Sequence, residues 1–76
     1  MNWDLELDAT GLLCPLPVLK ARKRLAGMAP GAVLRLIATD PAAVIDVPHF
    51  CAEAGHDLIG TGEDGGAQIY LIRRRT

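Results

Sequence analysis

The residues best suited to chemistry are in the stretch Cys14-Pro15-Leu16-Pro17. It lies between a strand-like run and a cationic amphipathic segment. Two prolines at alternate positions cannot continue a strand, because each lacks the N–H that a ladder needs. Both fit the first turn of a helix, where the amide protons have no intrahelical partner. Cys14 is therefore expected at or next to an N-cap, its sulfur near free N–H groups and the positive end of the helix dipole. That setting favours thiolate. A cysteine with an ordinary pKa of about 8.5 falls to roughly 3.5–7.5 at helix starts. The chemistry this predicts is nucleophilic attack by sulfur.

Other candidate residues are weaker. Cys51 lies in the apolar run Phe50-Cys51-Ala52 with no local cation, so it reads as core rather than as a resolving thiol. His49, Cys51 and His56 invite a metal reading. Residues two apart point to different helix faces, however, and the spacing fits no common zinc pattern, so no metal is expected. Asp40 and Asp46 read as helix caps. Gly60-x-Gly62 lacks the helix that a phosphate-binding loop requires. No paired carboxylates or serine triad accompany them.

The elements that must position Cys14 follow from periodicity. Trp3, Leu5 and Leu7 alternate with Asp4, Glu6 and Asp8, which predicts a strand with one buried and one wet face. Gly11 breaks it, and Leu12 and Leu13 lead into the cysteine as an apolar staple. From Pro15 to about Met28, Val18, Ala21, Leu25 and Met28 share one helical face and Lys20, Lys23 and Arg24 the other. Arg22 interrupts the apolar side, its stem expected along the sheet. Gly27 and Pro30-Gly31 end this helix. Residues Ala32 to Thr39 form a second strand, apolar on both faces except at Arg35, as in a sheet interior.

Pro48 then complicates a helical run, since an interior proline removes a hydrogen bond and clashes with the previous turn. The expectation is a short turn over Pro41–Ile45, then a helix from Val47 to about Ala54, capped by Asp46 and closed by Gly55. His56 to Gly62 and Gln68 to Arg74 read as strands joined by a turn at Glu63-Asp64-Gly65-Gly66. The order is βαβαββ. Right-handed crossovers put both helices on one face of a mixed four-stranded sheet, a two-layer α/β sandwich. Arg75 and Thr76 are expected to fray.

At 76 residues the chain is one domain, spanning 1–76. Half the residues are apolar and few are aromatic, so the core must be aliphatic. A net charge of −1 argues against a general nucleic-acid binder, and Arg73–Arg75 alone supply little phosphate affinity. The N-terminus lacks a basic segment followed by an apolar run, and no stretch reaches membrane-spanning length, so a cytoplasmic protein is expected.

The chain resembles the TusA/SirA-like family of small sulfur carriers over almost its whole length. Three pieces carry the likeness: Leu7 to Pro17 with its Asp, Gly and Cys-Pro-x-Pro signature, Asp40-Pro41-Ala42 with Asp46 to Cys51, and Tyr70 to Arg73. The resemblance implies a cysteine, here Cys14, that carries sulfane sulfur as a persulfide. It implies a cysteine desulfurase as donor and a downstream acceptor protein, with tRNA 2-thiouridine as the leading route and sulfur oxidation, the molybdenum cofactor or selenium as the others; no cofactor is expected. On this reading Pro15 and Pro17 fix geometry, and Lys20, Lys23 and Arg24 dock an acidic partner surface. No autonomous turnover is expected. The competing reading is a non-catalytic binding or regulatory module that uses the cationic helix. A thiol reductase is disfavoured by the lack of a Cys-x-x-Cys pair.

Overall fold

The computed structural model describes residues 2–75. Its elements run β1 (Leu5–Ala9), α1 (Leu16–Ala26), β2 (Val33–Ala38), α2 (Ala43–Ala54), β3 (Asp57–Asp64) and β4 (Ala67–Arg73). The order is the expected βαβαββ. The sheet order is β1-β2-β4-β3, with β1 parallel to β2 and both other pairings antiparallel.

Alternation dictates one face of this sheet. Leu7 and Ala9 of β1, Leu34, Leu36 and Ala38 of β2, and Tyr70 and Ile72 of β4 point to the helices. They meet Ala21 and Leu25 of α1 and Ala43, Val47, Phe50 and Cys51 of α2. Burying each large aliphatic side chain there contributes about 1.5–3 kcal/mol. The end of α1 is held from the far end of the chain. Arg74 Nη1 donates to the carbonyls of Ala26, at 3.0 Å, and Met28, a cation placed at the negative end of the helix.

Four local expectations are corrected. Trp3 is 46% exposed and lies outside β1, with the Arg35 guanidinium 4.7 Å from its ring centroid. Alternation persists in sequence, but Leu5 too is only partly covered, opening on a groove that it shares with Lys20, Lys23 and Arg24 of α1. Leu13 is not a staple: Leu12 packs on the core while Leu13 stays exposed. Arg22 does not lie along the sheet; its guanidinium sits 5.7 Å from the ring centroid of Phe50 in α2. The fourth correction concerns α2, which is one helix with Pro48 inside it. Bonds from Ala43 N–H to Asp40 C=O, from Val44 to Pro41 and from Ile45 to Ala42 form a tight three-residue-spaced entry that runs straight into the helix. The carbonyl that Pro48 cannot bond belongs to exposed Val44, where water can serve it. Asp46 is thus inside the helix and caps nothing.

The last hairpin is tighter than expected. β3 extends through Glu63 and Asp64, leaving a two-residue turn at Gly65-Gly66 with φ of 57° and 86°. Two successive positive φ values define the hairpin turn whose twist matches the strands, and glycine takes them without strain. Arg75 lies 3.8 Å from Asp57 in an ion pair rather than fraying, and Thr76 lies outside the described residues.

Candidate functional site

Parallel pairing of β1 and β2 puts the ends of both strands, and the junctions that follow them, side by side. Ala9 is opposite Ala38, and beyond them Gly11 N–H donates to Thr39 Oγ1 at 2.9 Å. The β1–α1 junction carries Cys14 and the β2–α2 junction carries Asp40. Such carboxyl ends of neighbouring strands are where α/β sheets commonly place their sites.

Two aspartates grip the cysteine. Cys14 N–H donates to Asp40 Oδ2 at 2.5 Å, and Cys14 Sγ–H donates to Asp46 Oδ2 at 2.6 Å. Asp40 is itself held, its Oδ1 accepting from Ala42 N–H and its carbonyl from Gln68 Nε2. Pro15 is the N-cap of α1, joined to Cys14 by a cis peptide bond, and Pro17 is buried in the first turn. Both prolines are therefore at the helix start, as their chemistry predicts.

The state of the sulfur is a correction. Cys14 is exposed, but its sulfur meets a carboxylate instead of the amide protons of α1. The Asp46 hydrogen bond raises the thiol pKa, and desolvation and the charges of Asp46 and Asp40 push the same way. A hydrogen bond that only the neutral form can donate, together with nearby negative charge, outweighs the helix dipole here. Both effects favour the thiol over the thiolate in unloaded Cys14.

Sulfur and aspartate open on a groove of about 200 Å³ between the helices, lined also by Pro15, Val18, Arg22, His49 and Phe50. Leu13 and Leu16, next to Cys14 in the chain, and Val44 and Ile45, at the start of α2, are exposed apolar side chains that the core does not use, with Ile45 75% exposed. Lys20, Lys23 and Arg24 line a different groove, of about 430 Å³, with Leu5, Leu7 and Met28 along the β1 edge. They do not line the cysteine's groove.

Cys51 is in the core, 2% exposed, and burial pushes its thiol up to about 11. His49 pairs with Glu53 at 3.0 Å, and both line the groove at Cys14. The arginine run is also engaged. Arg73 bonds Asp57 at 3.0 Å, and Arg74 bonds the α1 carbonyls. What the sequence reading missed is the role of the two aspartates. Their capping chemistry was visible, but their real partner is across a parallel crossover. Recognising that β1 and β2 are parallel neighbours would have put both junctions at one end of the sheet.

The fold and this groove define a small α/β domain that offers the Cys14 sulfur at its surface. The family model described as "Sulfurtransferase TusA" matches residues 5–74. A "Sulfur carrier protein TusA" of Pseudomonas entomophila is 47% identical over 72 residues, covering 95% of this chain and 90% of that protein. One of the same name from Allochromatium vinosum is 47% identical over 73 residues, covering 96% of each. The crystal structure of a SirA-like protein from Desulfitobacterium hafniense superposes with a TM-score of 0.84 at 23% identity. It covers 96% of this chain and 100% of that one, a likeness of fold. The chain belongs to the TusA sulfurtransferase family, whose general function is to carry sulfur.

Proposed function

We propose that this protein accepts sulfane sulfur from a cysteine desulfurase as a persulfide on Cys14 and passes it to an acceptor protein, with tRNA 2-thiouridine as the destination. The observation that carries the reading is the contrast between its two cysteines. Cys14 is exposed at the junction of both helices, whereas Cys51 is sealed in the core. A transfer between sulfurs needs in-line access that only the first can give.

In the loading step, Cys14 sulfur loses its proton and attacks the sulfane sulfur of the donor persulfide. A new S–S bond forms as the donor's S–S bond breaks. The donor sulfur leaves as thiolate and regains a proton. The net exchange converts Cys14–SH and donor–S–SH into Cys14–S–SH and donor–SH, with no net oxidation. In the second step an acceptor thiolate attacks the outer sulfur and Cys14 is the leaving group. Pro15 and Pro17 hold the helix start rigid. Lys20, Lys23 and Arg24, on the β1-edge groove, steer an acidic partner surface rather than touch the reacting atoms. The protein works in the cytoplasm; among the described residues no helix is long and apolar enough to cross a membrane.

Intact-mass spectrometry tests the carrier. After incubation with a cysteine desulfurase and cysteine, the chain should gain one sulfur atom, removable by dithiothreitol. Cys14→Ser should gain none and Cys51→Ser should still load. Loading on Cys51 alone would overturn the assignment. The destination is read from 2-thiouridine content of tRNA in a deletion strain. Unchanged 2-thiouridine would redirect the route to sulfur oxidation or molybdenum-cofactor assembly. A second reading, a binding module, draws on the cationic groove beside β1. It predicts that Cys14→Ser keeps function in cells while reversing Lys20, Lys23 and Arg24 abolishes it.

A further inference from the structure

Asp40 is explained by the fold, because it ties Cys14, Ala42 and, through its carbonyl, Gln68 together. Asp46 is not. It lies in the first turn of α2, yet that helix has no side-chain cap. The hydrogen bond its carboxylate makes among the described residues is the one from Cys14 Sγ–H.

We propose that Asp46 is a positioning residue for sulfur transfer: it aims the Cys14 sulfur at the interhelical groove and keeps it protonated until a cationic side chain of the donor protein engages the carboxylate. The proposal rests on Cys14 being the carrier. The groups facing the sulfur give the argument its sign. Asp46 comes from α2 and Asp40 from the junction before it, both negative and both bonded to Cys14. His49 and Glu53, further along α2, pair with each other. Arg22 of α1 is the cation lining the groove, and its guanidinium is stacked on Phe50. An ionised sulfur would have no proton to share with Asp46 and would face two carboxylates, consistent with the upward direction of the Cys14 pKa.

A donor's lysine or arginine placed on Asp46 would remove the acceptor and bring positive charge beside the sulfur, and both effects favour thiolate. Pro15, Val18 and Phe50, which line the same groove, supply apolar contact beside that point. Loading then undoes the hold. In Cys14–S–SH the inner sulfur has no proton, so Asp46 no longer restrains it and the outer sulfur is free to reach an acceptor.

The test reads iodoacetamide alkylation of Cys14 against pH, resolved from Cys51 by peptide mass mapping. In the folded wild type the midpoint should lie above that of the same chain in denaturing urea. In Asp46→Asn it should fall, with the neutral-pH rate at least about threefold higher. Asp46→Asn should also load faster from inorganic hydrodisulfide, which brings no cationic group, and slower from the desulfurase. An unchanged alkylation profile, or loading rates that move together, would overturn the proposal. If Asp46→Asn does not fold, the wild-type comparison decides: a folded midpoint at or below the unfolded one defeats the idea. Alkylation needs no sulfur donor, so this outcome is separable from failure of Cys14 as carrier.

Discussion

Both thiols are raised, by different physics. Cys51 is raised by burial among aliphatic side chains, Cys14 chiefly by a hydrogen bond at the surface. The Cys51 shift makes a stability statement. Its folded value is about 11, above the ordinary 9.0 expected when the chain unfolds. Between those values the unfolded chain has already lost the proton that the folded chain retains. Stability from this group is thus complete below pH 9.0 and declines as pH rises toward about 11. Cys51→Ala should remove that part of the alkaline decline in chemical denaturation, while lowering stability near neutrality by about 1–2 kcal/mol through the cavity it leaves. A variant whose alkaline slope equals the wild type's would show that Cys51 is not buried as a neutral thiol.

At the scale of elements, Pro48 is the clearest conflict between local rule and observed fold. Val47, Phe50 and Cys51 pack α2 onto the sheet on both sides of it, and that burial keeps the helix continuous. The proline still costs the helix a hydrogen bond. Pro48→Ala should therefore stabilise the domain, by about 1–3 kcal/mol in urea titration. A loss of stability would mean that its ring, which lines a groove with Tyr70 and Gln68, contributes more than its missing N–H costs. The order of strands and helices was legible because alternation, helical spacing and the Gly65-Gly66 turn are local signals. The limits of the covered area were not: nothing in the alternation of Trp3 with Leu5 and Leu7 tells that only Leu7 of the three is buried. Nor was the sulfur's environment legible. The Cys14–Asp46 contact spans 32 positions and depends on the pairing of β1 with β2. A helix start viewed alone predicts an acidic thiol, and only the second junction reverses that.

For the molecule as a whole, the cationic cluster of α1 and the reactive cysteine are on different surfaces. Lys20, Lys23 and Arg24 flank the β1 edge, while the groove at Cys14 holds Asp46 and Glu53 with Arg22 and apolar side chains. Exposed cations at such a distance act mainly on encounter, within a Debye length of about 8 Å at physiological salt. Reversing all three to glutamate should slow loading from a protein donor through the association rate. The defect should shrink as salt is added, and single-turnover transfer inside the complex should be little changed. A defect that persists at saturating donor would move these residues into the contact itself.

The grip of two aspartates on one cysteine also makes the sulfur a reporter on the integrity of the sheet. Asp46 reaches Cys14 only while the first two strands stay in register. A chain that loses this pairing through damage or incomplete folding loses the damping as well. Its thiol becomes more acidic and is the first to meet oxidants and electrophiles. Defective copies would thus be the ones chemically tagged, and intact copies would keep their sulfur quiet until a partner arrives.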